Sequence, residues 1–257
     1  MNLTVEGLSF SYGKQAVLRD VSFSAGSGEL IAVLGQNGAG KSTLFRCLLG
    51  LLHGWQGSIT LDDLDLRHLG SRETARRIAY IPQSSIPVFS YTVLDTVLMG
   101  TASRLGVLQS PGTQQEAEAL SLLQSLGIGH LAGRSISQCS GGERQLALIA
   151  RALNQQAVLL VMDEPTASLD YGNQYRVLET VRALTGQGYT VLMSTHNPEH
   201  VFRFADRVLL LHEGRLLANG RAEEVLTPER ILEVFGLRAE LRRVSLGDRE
   251  VTVCLPL

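Results

Sequence analysis

Residues 35–42 read Gly-Gln-Asn-Gly-Ala-Gly-Lys-Ser, and the rest of the chain is best understood from this octapeptide. It matches the phosphate-binding pattern GxxxxGK[ST] at every fixed position. An apolar run at residues 30–34 precedes it, and an apolar-rich segment of helix-forming character follows at residues 43–49. A strand that passes through this loop into a helix is the context that the pattern requires.

The residue types of this loop suit a polyanionic ligand. Glycines adopt positive φ and let the backbone approach a phosphate, so that successive N–H groups converge on it at a helix N-terminus. Lys41 adds a mobile positive charge for the β and γ phosphates, and the Ser42 hydroxyl is placed to ligate Mg²⁺. A glycine-rich turn that binds nothing is the alternative, but the complete motif with both flanks favours a nucleotide.

Length, composition and charge are ordinary for a soluble globular protein. The chain has 257 residues, 44% of them hydrophobic, which is enough to bury a substantial core. The net charge of -2 provides no basic excess that would indicate nucleic acid. Three cysteines without a CxxC pair predict neither a disulfide framework nor a zinc site. No secretion signal or apolar run of ~18 residues is present, so we expect any membrane association to go through a partner.

An antiparallel pair of strands is predicted at the N-terminus. Residues 2–10 and 16–24 alternate and are rich in β-branched side chains, with residues 11–14 as the turn between them. Tyr12 lies at this turn. An aromatic ring in such a place usually packs against the hairpin, and stacking on a ligand is the alternative.

A helical lobe is predicted at about residues 84–155, inserted into the nucleotide domain. Its first part is loop-rich and contains a short helix candidate at residues 92–99. Residues 114–126 have a helical period of apolar side chains, and Gly127 is a suitable helix stop.

Ser140 and Glu143 have the spacing of a capping box and predict a helix that begins there and runs through Leu153. Two residues without side chains, Gly141 and Gly142, leave the N–H groups of its first turn open. A well-capped helix explains the motif by itself. A phosphate-bearing ligand at the positive end of the helix explains the two glycines better.

Two adjacent acids end the apolar run at residues 158–164. A continuous apolar run suits a buried parallel strand, whose carboxyl end enters a site at the edge of the sheet. Asp163 is suited to hold Mg²⁺, and Glu164 to orient or deprotonate an attacking water. A helix cap is the alternative, but the phosphate loop earlier in the chain favours a catalytic pair.

Two further strands end in polar residues. Residues 78–81 are followed by Pro82-Gln83, and residues 190–194 lead to His196. Asn197 and Pro198 read as the cap and first residue of a helix, which leaves His196 at the tip of its strand. A lone histidine there is commonly structural. At the same sheet edge as the phosphate loop, a contact with a γ-phosphate is the better interpretation.

The C-terminal third predicts a hairpin of residues 208–211 with 215–217 and a short helix that begins at Thr227. Residues 239–255 alternate like edge strands. We therefore predict an α/β fold of the P-loop NTPase class, with a mostly parallel central sheet, an N-terminal antiparallel β subdomain and the inserted lobe. The predicted domain covers residues 1–237, and residues 238–257 form an extension that we expect to pack on it.

Together these motifs resemble the ATP-binding subunit of ABC transporters, and the resemblance covers about residues 2–237. Its specificity lies in order and spacing. The motifs are the aromatic turn at Tyr12, the Walker A loop at residues 35–42, Gln83, the signature SGGERQ at residues 140–145, the Walker B acids Asp163-Glu164, Ser168-Leu169-Asp170, and His196.

The resemblance implies ATP and Mg²⁺ as cofactors and gives each motif a role. Glu164 would be the general base, His196 would contact the γ-phosphate, and Gln83 would take part in catalysis and in holding the metal. The Mg²⁺ set would be Ser42, Gln83 and Asp163. The nucleotide set would be Tyr12, Gly35, Asn37, Gly38, Gly40, Lys41, Ser42, Thr43, Ser140, Gly141 and Gly142.

Partners also follow from the resemblance. Ser140, Gly141 and Gly142 would close over ATP bound to a second copy of the chain, in a homodimer that sandwiches the nucleotide. This pair would lie on the cytoplasmic side of the cell (inner) membrane, bound to integral permease subunits, and a periplasmic or extracellular substrate-binding protein would act with them indirectly. Nucleic acid is not an expected partner. We expect residues 83–100 to form the permease-docking surface.

The motifs depart from the usual pattern at two positions. Cys139 stands where the signature usually begins with leucine, and Asn197 follows the histidine where an acid is frequent. Neither change touches the phosphate contacts of the serine and glycines. ATP hydrolysis therefore remains the expected activity.

Three segments narrow the resemblance to importers of metal chelates such as siderophore-iron, haem or cobalamin, or of molybdate. They read RETARRIAYIPQ, TVLDTVLMG and LTPERILEVFGL. A zinc or manganese importer, an exporter and a lipoprotein-release system are the alternatives. A chromosome-maintenance ATPase would need a long coiled coil between its motifs, and a translation-associated ABC protein would carry two cassettes.

Overall fold

The apolar run before the phosphate loop forms a strand in which every residue is buried. The computed structural model describes residues 1–83, 91–106, 109–247 and 249–257. The strands within these ranges are β1 (Leu3–Tyr12), β2 (Gln15–Ala25), β3 (Leu30–Leu34), β4 (Gln56–Leu61), β5 (Leu64–Asp65), β6 (Ile78–Ile81), β7 (Leu159–Met162), β8 (Thr190–Thr195), β9 (Arg207–His212), β10 (Arg215–Gly220), β11 (Ala239–Leu246) and β12 (Arg249–Pro256).

Helices connect these strands and cover the sheets. None of the helices in the described ranges is long and apolar enough to cross a membrane. They are α1 (Lys41–Leu48), α2 (Ser71–Arg77), α3 (Val93–Leu98), α4 (Thr113–Ser125), α5 (Gly141–Asn154), α6 (Tyr171–Thr185), α7 (Pro198–Phe204), α8 (Ala222–Val225) and α9 (Pro228–Phe235).

The central sheet has the strand order β10-β9-β3-β8-β7-β6. β3 runs parallel to its neighbours β8 and β9, and β7 runs parallel to β6 and β8. β10 pairs with β9 in the antiparallel direction at one edge. β3 and β7 are buried along their whole length, which explains why their sequences are continuously apolar rather than alternating. The prediction of a mostly parallel central sheet is confirmed.

A second sheet has the order β2-β1-β4-β5 and is antiparallel. Leu3, Val5 and Leu8 of β1 are buried, and the alternation is interrupted by an irregularity between Val5 and Leu8. They belong to the same core as Phe45 and Leu48 of helix α1. This sheet therefore covers the helix that follows the phosphate loop, and the predicted N-terminal antiparallel subdomain is confirmed.

The predicted helices of the lobe are present as α3, α4 and α5. Ala119 and Leu123 of α4 are buried, as their period predicts. Gly127 has φ +73°, a left-handed conformation that ends α4 and favours glycine. Asn154 near the end of α5 donates from Nδ2 to the carbonyl of Val97 in α3 at 2.9 Å, which ties the two helices together.

The predicted docking segment is described only from Tyr91 onward, apart from Gln83. Its apolar residues Ile86, Val88 and Phe89, together with the rest of 84–90 at the start of the predicted lobe, lie outside the described residues.

The C-terminal residues form strands, as their alternation predicts. β11 and β12 pair with each other in a separate two-stranded sheet and do not extend the edge of either larger sheet. The backbone N–H of Cys254 in β12 donates to Oε1 of Glu199 in α7 at 2.8 Å. Alternation along a strand indicates that one face is covered, but it does not identify the covering element, because a helix serves as well as a neighbouring sheet.

Helix α7 buries a histidine. His200 is 4% exposed, and the ring of Tyr175 in α6 stands edge-on to it with centroids 6.4 Å apart. Within the described residues, its Nδ1 is buried without a hydrogen-bond partner. Burial, and secondarily the nearby His196, lower the pKa of His200 to about 4 from its ordinary 6.5. The imidazole is therefore neutral in the folded protein at physiological pH.

This burial predicts acid sensitivity of the fold. Between pH 6.5 and 4 the unfolded chain binds a proton at His200 that the native protein does not, so stability is lost as the pH falls through this window. The loss should reach roughly 3 kcal/mol. Urea unfolding at several pH values measures it.

The His200→Phe variant keeps a ring against Tyr175 and should flatten this pH dependence. His53→Gln replaces an exposed histidine and serves as the control. Equal pH slopes for His200→Phe and the parent protein would contradict the assignment.

Candidate active site

The carboxyl ends of β3, β6 and β7 meet at a cavity of about 400 Å³, which the turn after β1 and the start of β2 close on one side. This convergence follows from parallel pairing, because parallel strands all end at the same edge of their sheet. The cavity is lined by Tyr12, Gln15, Val17, Gln36, Asn37, Gly38, Gly40, Lys41, Ser42, Thr43, Gln83, Asp163 and Glu164.

Two glycines of the loop are required by its geometry. A Cβ on Gly35 would lie 2.3 Å from the carbonyl oxygen of Leu211, so only glycine lets the loop pass this close to β9. Gly40 has φ +107° immediately before helix α1. Gly35 therefore allows the loop to pack against β9, and it does not line the cavity.

Lys41 lies back over its own loop. Its Nζ donates to the carbonyls of Gly35 at 2.7 Å and Gln36 at 3.1 Å. The same Nζ is 3.4 Å from Oε1 of Glu164, and the lysine side chain is 5% exposed. A buried ammonium next to a carboxylate and loop carbonyls is a cation aimed into the cavity.

Glu164 is the residue on which the site converges. Its Oε2 accepts from Nε2 of Gln83 at 3.3 Å and lies 3.2 Å from Nδ1 of His196. With Lys41, three groups from three separate strand ends thus contact one carboxylate. Its φ of 45° is uncommon for a residue with a side chain, and such conformations are concentrated at functional sites.

Asp163 is held beside it by a residue that the sequence did not single out. Ser194, fully buried near the end of β8, donates from Oγ to Oδ1 of Asp163 at 2.6 Å. The same Oγ accepts the backbone N–H of Glu164 at 2.8 Å. Its sequence signal was weak, because a serine that ends an apolar strand is common.

The proposed metal ligands are oxygen donors that line the cavity. Ser42 offers a hydroxyl, Asp163 a carboxylate, and Gln83 an amide carbonyl whose N–H₂ end is turned to Glu164. Hard oxygen ligands with a single carboxylate match the preference of Mg²⁺, which takes few protein ligands and the oxygens of substrate phosphates. The residues present therefore fit this ion.

The ring of Tyr12 packs on the hairpin and also borders the cavity. Its ring meets Phe10 edge-on, with centroids 4.9 Å apart and an interplanar angle of 87°. The side chain nevertheless remains exposed and lines the cavity. Packing on Phe10 fixes the ring without burying it.

A second cavity of about 270 Å³ adjoins the first and shares Asn37, Gln83 and Glu164 with it. His196 lines this cavity, together with His200 and Asn197 of the segment that follows it. Sequence reasoning did not identify His200, because a buried histidine on a short helix has no motif of its own.

Ser140, Gly141 and Gly142 line neither cavity. The capping box is present: the N–H of Glu143 donates to Oγ of Ser140 at 3.3 Å, and the N–H of Ser140 donates to Oε2 of Glu143 at 2.8 Å. Ser140 and Gly141 are exposed.

The two glycines also have a packing role that the sequence did not reveal. A Cβ on Gly141 would lie 2.8 Å from Cδ2 of Leu169, and one on Gly142 would lie 2.5 Å from Oδ1 of Asn173. The start of α5 therefore packs closely against the start of α6, and side chains at these positions would force the two apart.

Residues 18–167 match the family model described as ABC transporter. The molybdate import ATP-binding protein MolC of Haemophilus influenzae is 37% identical over 257 residues, which cover 99% of this chain and 96% of MolC. The zinc transport system ATP-binding protein TroB of Treponema pallidum is 35% identical over 248 residues, 96% of this chain and 91% of TroB.

A solved structure of a metal-chelate type ABC transporter in an inward-facing conformation has a similar fold. Its matching chain superposes with a TM-score of 0.89 at 35% identity, over 99% of this chain and 96% of that one. The expected family is confirmed, and the relatives match nearly the whole length of the chain. The protein belongs to the ABC transporter family, as an ATP-binding subunit that hydrolyses ATP.

Proposed function

We propose that the chain powers an importer of metal chelates or of an oxyanion such as molybdate. The observation that carries the ATPase role is the convergence of Lys41, Gln83 and His196 on the carboxylate of Glu164. Similarity to the metal-chelate type transporter and to MolC supports the choice of cargo. Similarity to TroB supports zinc as the second candidate.

The chain's own residues account for binding. Lys41 and the amides of residues 35–43 hold the phosphates, and Tyr12 stacks on the adenine ring from the rim of the cavity. Ser42, Gln83 and Asp163 hold Mg²⁺, which when bound offsets the negative charge of the phosphates. Ser194 keeps the Asp163 carboxylate in place through the 2.6 Å hydrogen bond.

Hydrolysis is assigned to Glu164 and His196. Glu164 takes a proton from the attacking water as the water oxygen bonds to the γ-phosphorus and the bond to the ADP oxygen breaks. His196 then donates a hydrogen bond to the γ-phosphate. Both must exchange their mutual contact for contacts with substrate, so the contact at 3.2 Å describes a resting arrangement.

A second copy of the chain completes the site. Ser140 and Gly141 are exposed at the positive end of α5 and away from their own cavity, which leaves them available to an ATP held by a partner. Two copies that face each other would place each signature over the other's nucleotide. In this proposal ATP joins the two copies, and hydrolysis releases them.

Permease subunits bind at a groove of about 390 Å³ between α2 and α5. Leu51 and Met99 are exposed apolar residues on this groove, and Tyr80 lines its floor. Met99 and Gly100 on this groove belong to the predicted docking segment at residues 83–100, and we assign the groove to a short cytoplasmic segment of the permease. The subunit thus works on the cytoplasmic side of the cell membrane, with a substrate-binding protein on the other side.

Replacement of each of the two acids by its amide should distinguish their roles. Glu164→Gln should bind ATP yet lose turnover by ~10²–10⁴-fold, because a general base acts only in the chemical step. Asp163→Asn should weaken both Mg²⁺-dependent nucleotide binding and hydrolysis. Steady-state ATPase assays and nucleotide titrations measure both.

Size-exclusion chromatography of Glu164→Gln with and without ATP tests the composite site. The variant should elute as a dimer with ATP, because unhydrolysed nucleotide keeps the two copies together. A monomer at saturating ATP would contradict the composite site. Turnover at the parent rate would remove Glu164 from the mechanism.

Cysteine cross-linking should locate the permease. In a Cys254→Ala background, Leu51→Cys should cross-link to the permease in the assembled transporter. Leu232→Cys, at another exposed apolar position on α9, is the control. Cross-links from position 232 and none from position 51 would place the docking surface elsewhere.

Transport by the complete complex tests the cargo. Vesicles that contain the chain and its permease should accumulate an iron chelate or molybdate with ATP, and the same complex with Glu164→Gln should not. Accumulation of zinc or manganese would select the alternative importer. Outward transport would contradict import.

A further inference from the structure

The C-terminal hairpin of β11 and β12 lies against helix α7, which begins two residues after His196. The contact includes a specific hydrogen bond, since the N–H of Cys254 donates to Oε1 of Glu199 at 2.8 Å. Cys254 stands opposite Leu241 in the hairpin. Its N–H is directed to α7 rather than across the hairpin, so this bond joins two parts of the fold 55 residues apart.

The carboxylate of Glu199 and the strand also share a partly buried environment. Burial raises the pKa of the Cys254 thiol, and the negative charge of Glu199 raises it further. Both residues are intermediate in exposure. A hydrogen bond from a backbone amide to an ionised carboxylate is stronger than one between neutral groups, especially where water is partly excluded.

A chain of hydrogen bonds leads from Glu199 back to the histidine. The N–H of Glu199 donates to Oδ1 of Asn197 at 2.9 Å, which caps α7. The N–H of Asn197 in turn donates to Oγ1 of Thr195 at 3.1 Å. The bond from Asn197 to Thr195 spans His196, and the bond from Glu199 to Asn197 fixes the start of α7 directly after it, so the backbone at residue 196 is held between the end of β8 and the start of α7.

His196 needs this support because little else holds it. Its side chain is 58% exposed, and its ring nitrogen Nδ1 contacts Glu164. Packing therefore contributes little to the direction of the ring. Its position depends on its backbone, and hence on where α7 begins.

We propose that Glu199 is a positioning residue for ATP hydrolysis: by holding the C-terminal hairpin against α7, it keeps His196 directed at the nucleotide. Glu199 is outside both cavities and touches no part of the expected nucleotide site. The inference rests on the proposed role of His196 at the γ-phosphate. It gives the last 20 residues of the chain a part in catalysis.

The first test separates kcat from KM. Glu199→Ala should lower kcat by about three- to tenfold. The variant loses a charge-assisted hydrogen bond, and only part of that loss reaches the active site. The KM for ATP should stay within about twofold, because Tyr12 and the phosphate loop are untouched. Glu199→Gln keeps an acceptor oxygen and should retain most of the parent kcat. An unchanged kcat in Glu199→Ala would overturn the proposal.

The second test removes the donor. Cys254→Pro lacks the backbone N–H, and Cys254→Ala keeps it as the matched control. Cys254→Pro should reproduce the loss in kcat, and Glu199→Ala combined with it should lose no more than either alone. Losses that add in the double variant would overturn the proposal, because the two changes would then act independently. Thermal unfolding confirms that each variant compared is folded.

The third test asks whether the effect passes through the histidine. His196→Ala should itself lower kcat, and Glu199→Ala in that background should cause no further loss. A further loss would overturn the inference while leaving the role of His196 intact. A His196→Ala variant with the parent kcat would overturn the proposed role of His196, and the inference with it.

Discussion

Parallel pairing of buried strands is the constraint on which this molecule depends. Because β3 is parallel to β8 and β9, and β7 to β6 and β8, the segments that follow them all emerge at one edge of the sheet. Residues far apart in the chain are thereby collected at one place. The burial of β3 and β7 on both faces makes this register costly to change, because a shift would expose apolar side chains.

The collected groups form an electrostatic cluster around one carboxylate. Glu164 is largely buried, and a charge in such a place is stable only if it is paired and hydrogen-bonded. Lys41, Gln83 and His196 provide this pairing. The same three groups are the ones proposed to contact the phosphates and the metal. The resting site is therefore a set of contacts among the groups that are proposed to bind the nucleotide.

The structure accommodates both residues that depart from the family pattern, Cys139 and Asn197. Cys139 is buried, and its Sγ approaches the carbonyl of Ser135 at 3.7 Å, so a smaller apolar residue is accommodated before the signature. Asn197 caps α7 by accepting the N–H of Glu199. An asparagine serves this purpose as well as an acid, because both offer a side-chain oxygen to the first turn.

Local patterns in the sequence were sufficient for the elements and for most residues around the site. The phosphate loop, the capping box of Ser140 and Glu143, and the acids that end β7 are all encoded within a few residues, where hydrogen bonding and side-chain period act directly. The contacts that only the tertiary structure revealed join residues far apart in the chain. Ser194 holds Asp163 across 31 residues, Gly142 makes room for Asn173, and the sheet of β11 and β12 lies against α7. No local pattern specifies such contacts, because each depends on how close two separately stable elements come to each other once the core has formed.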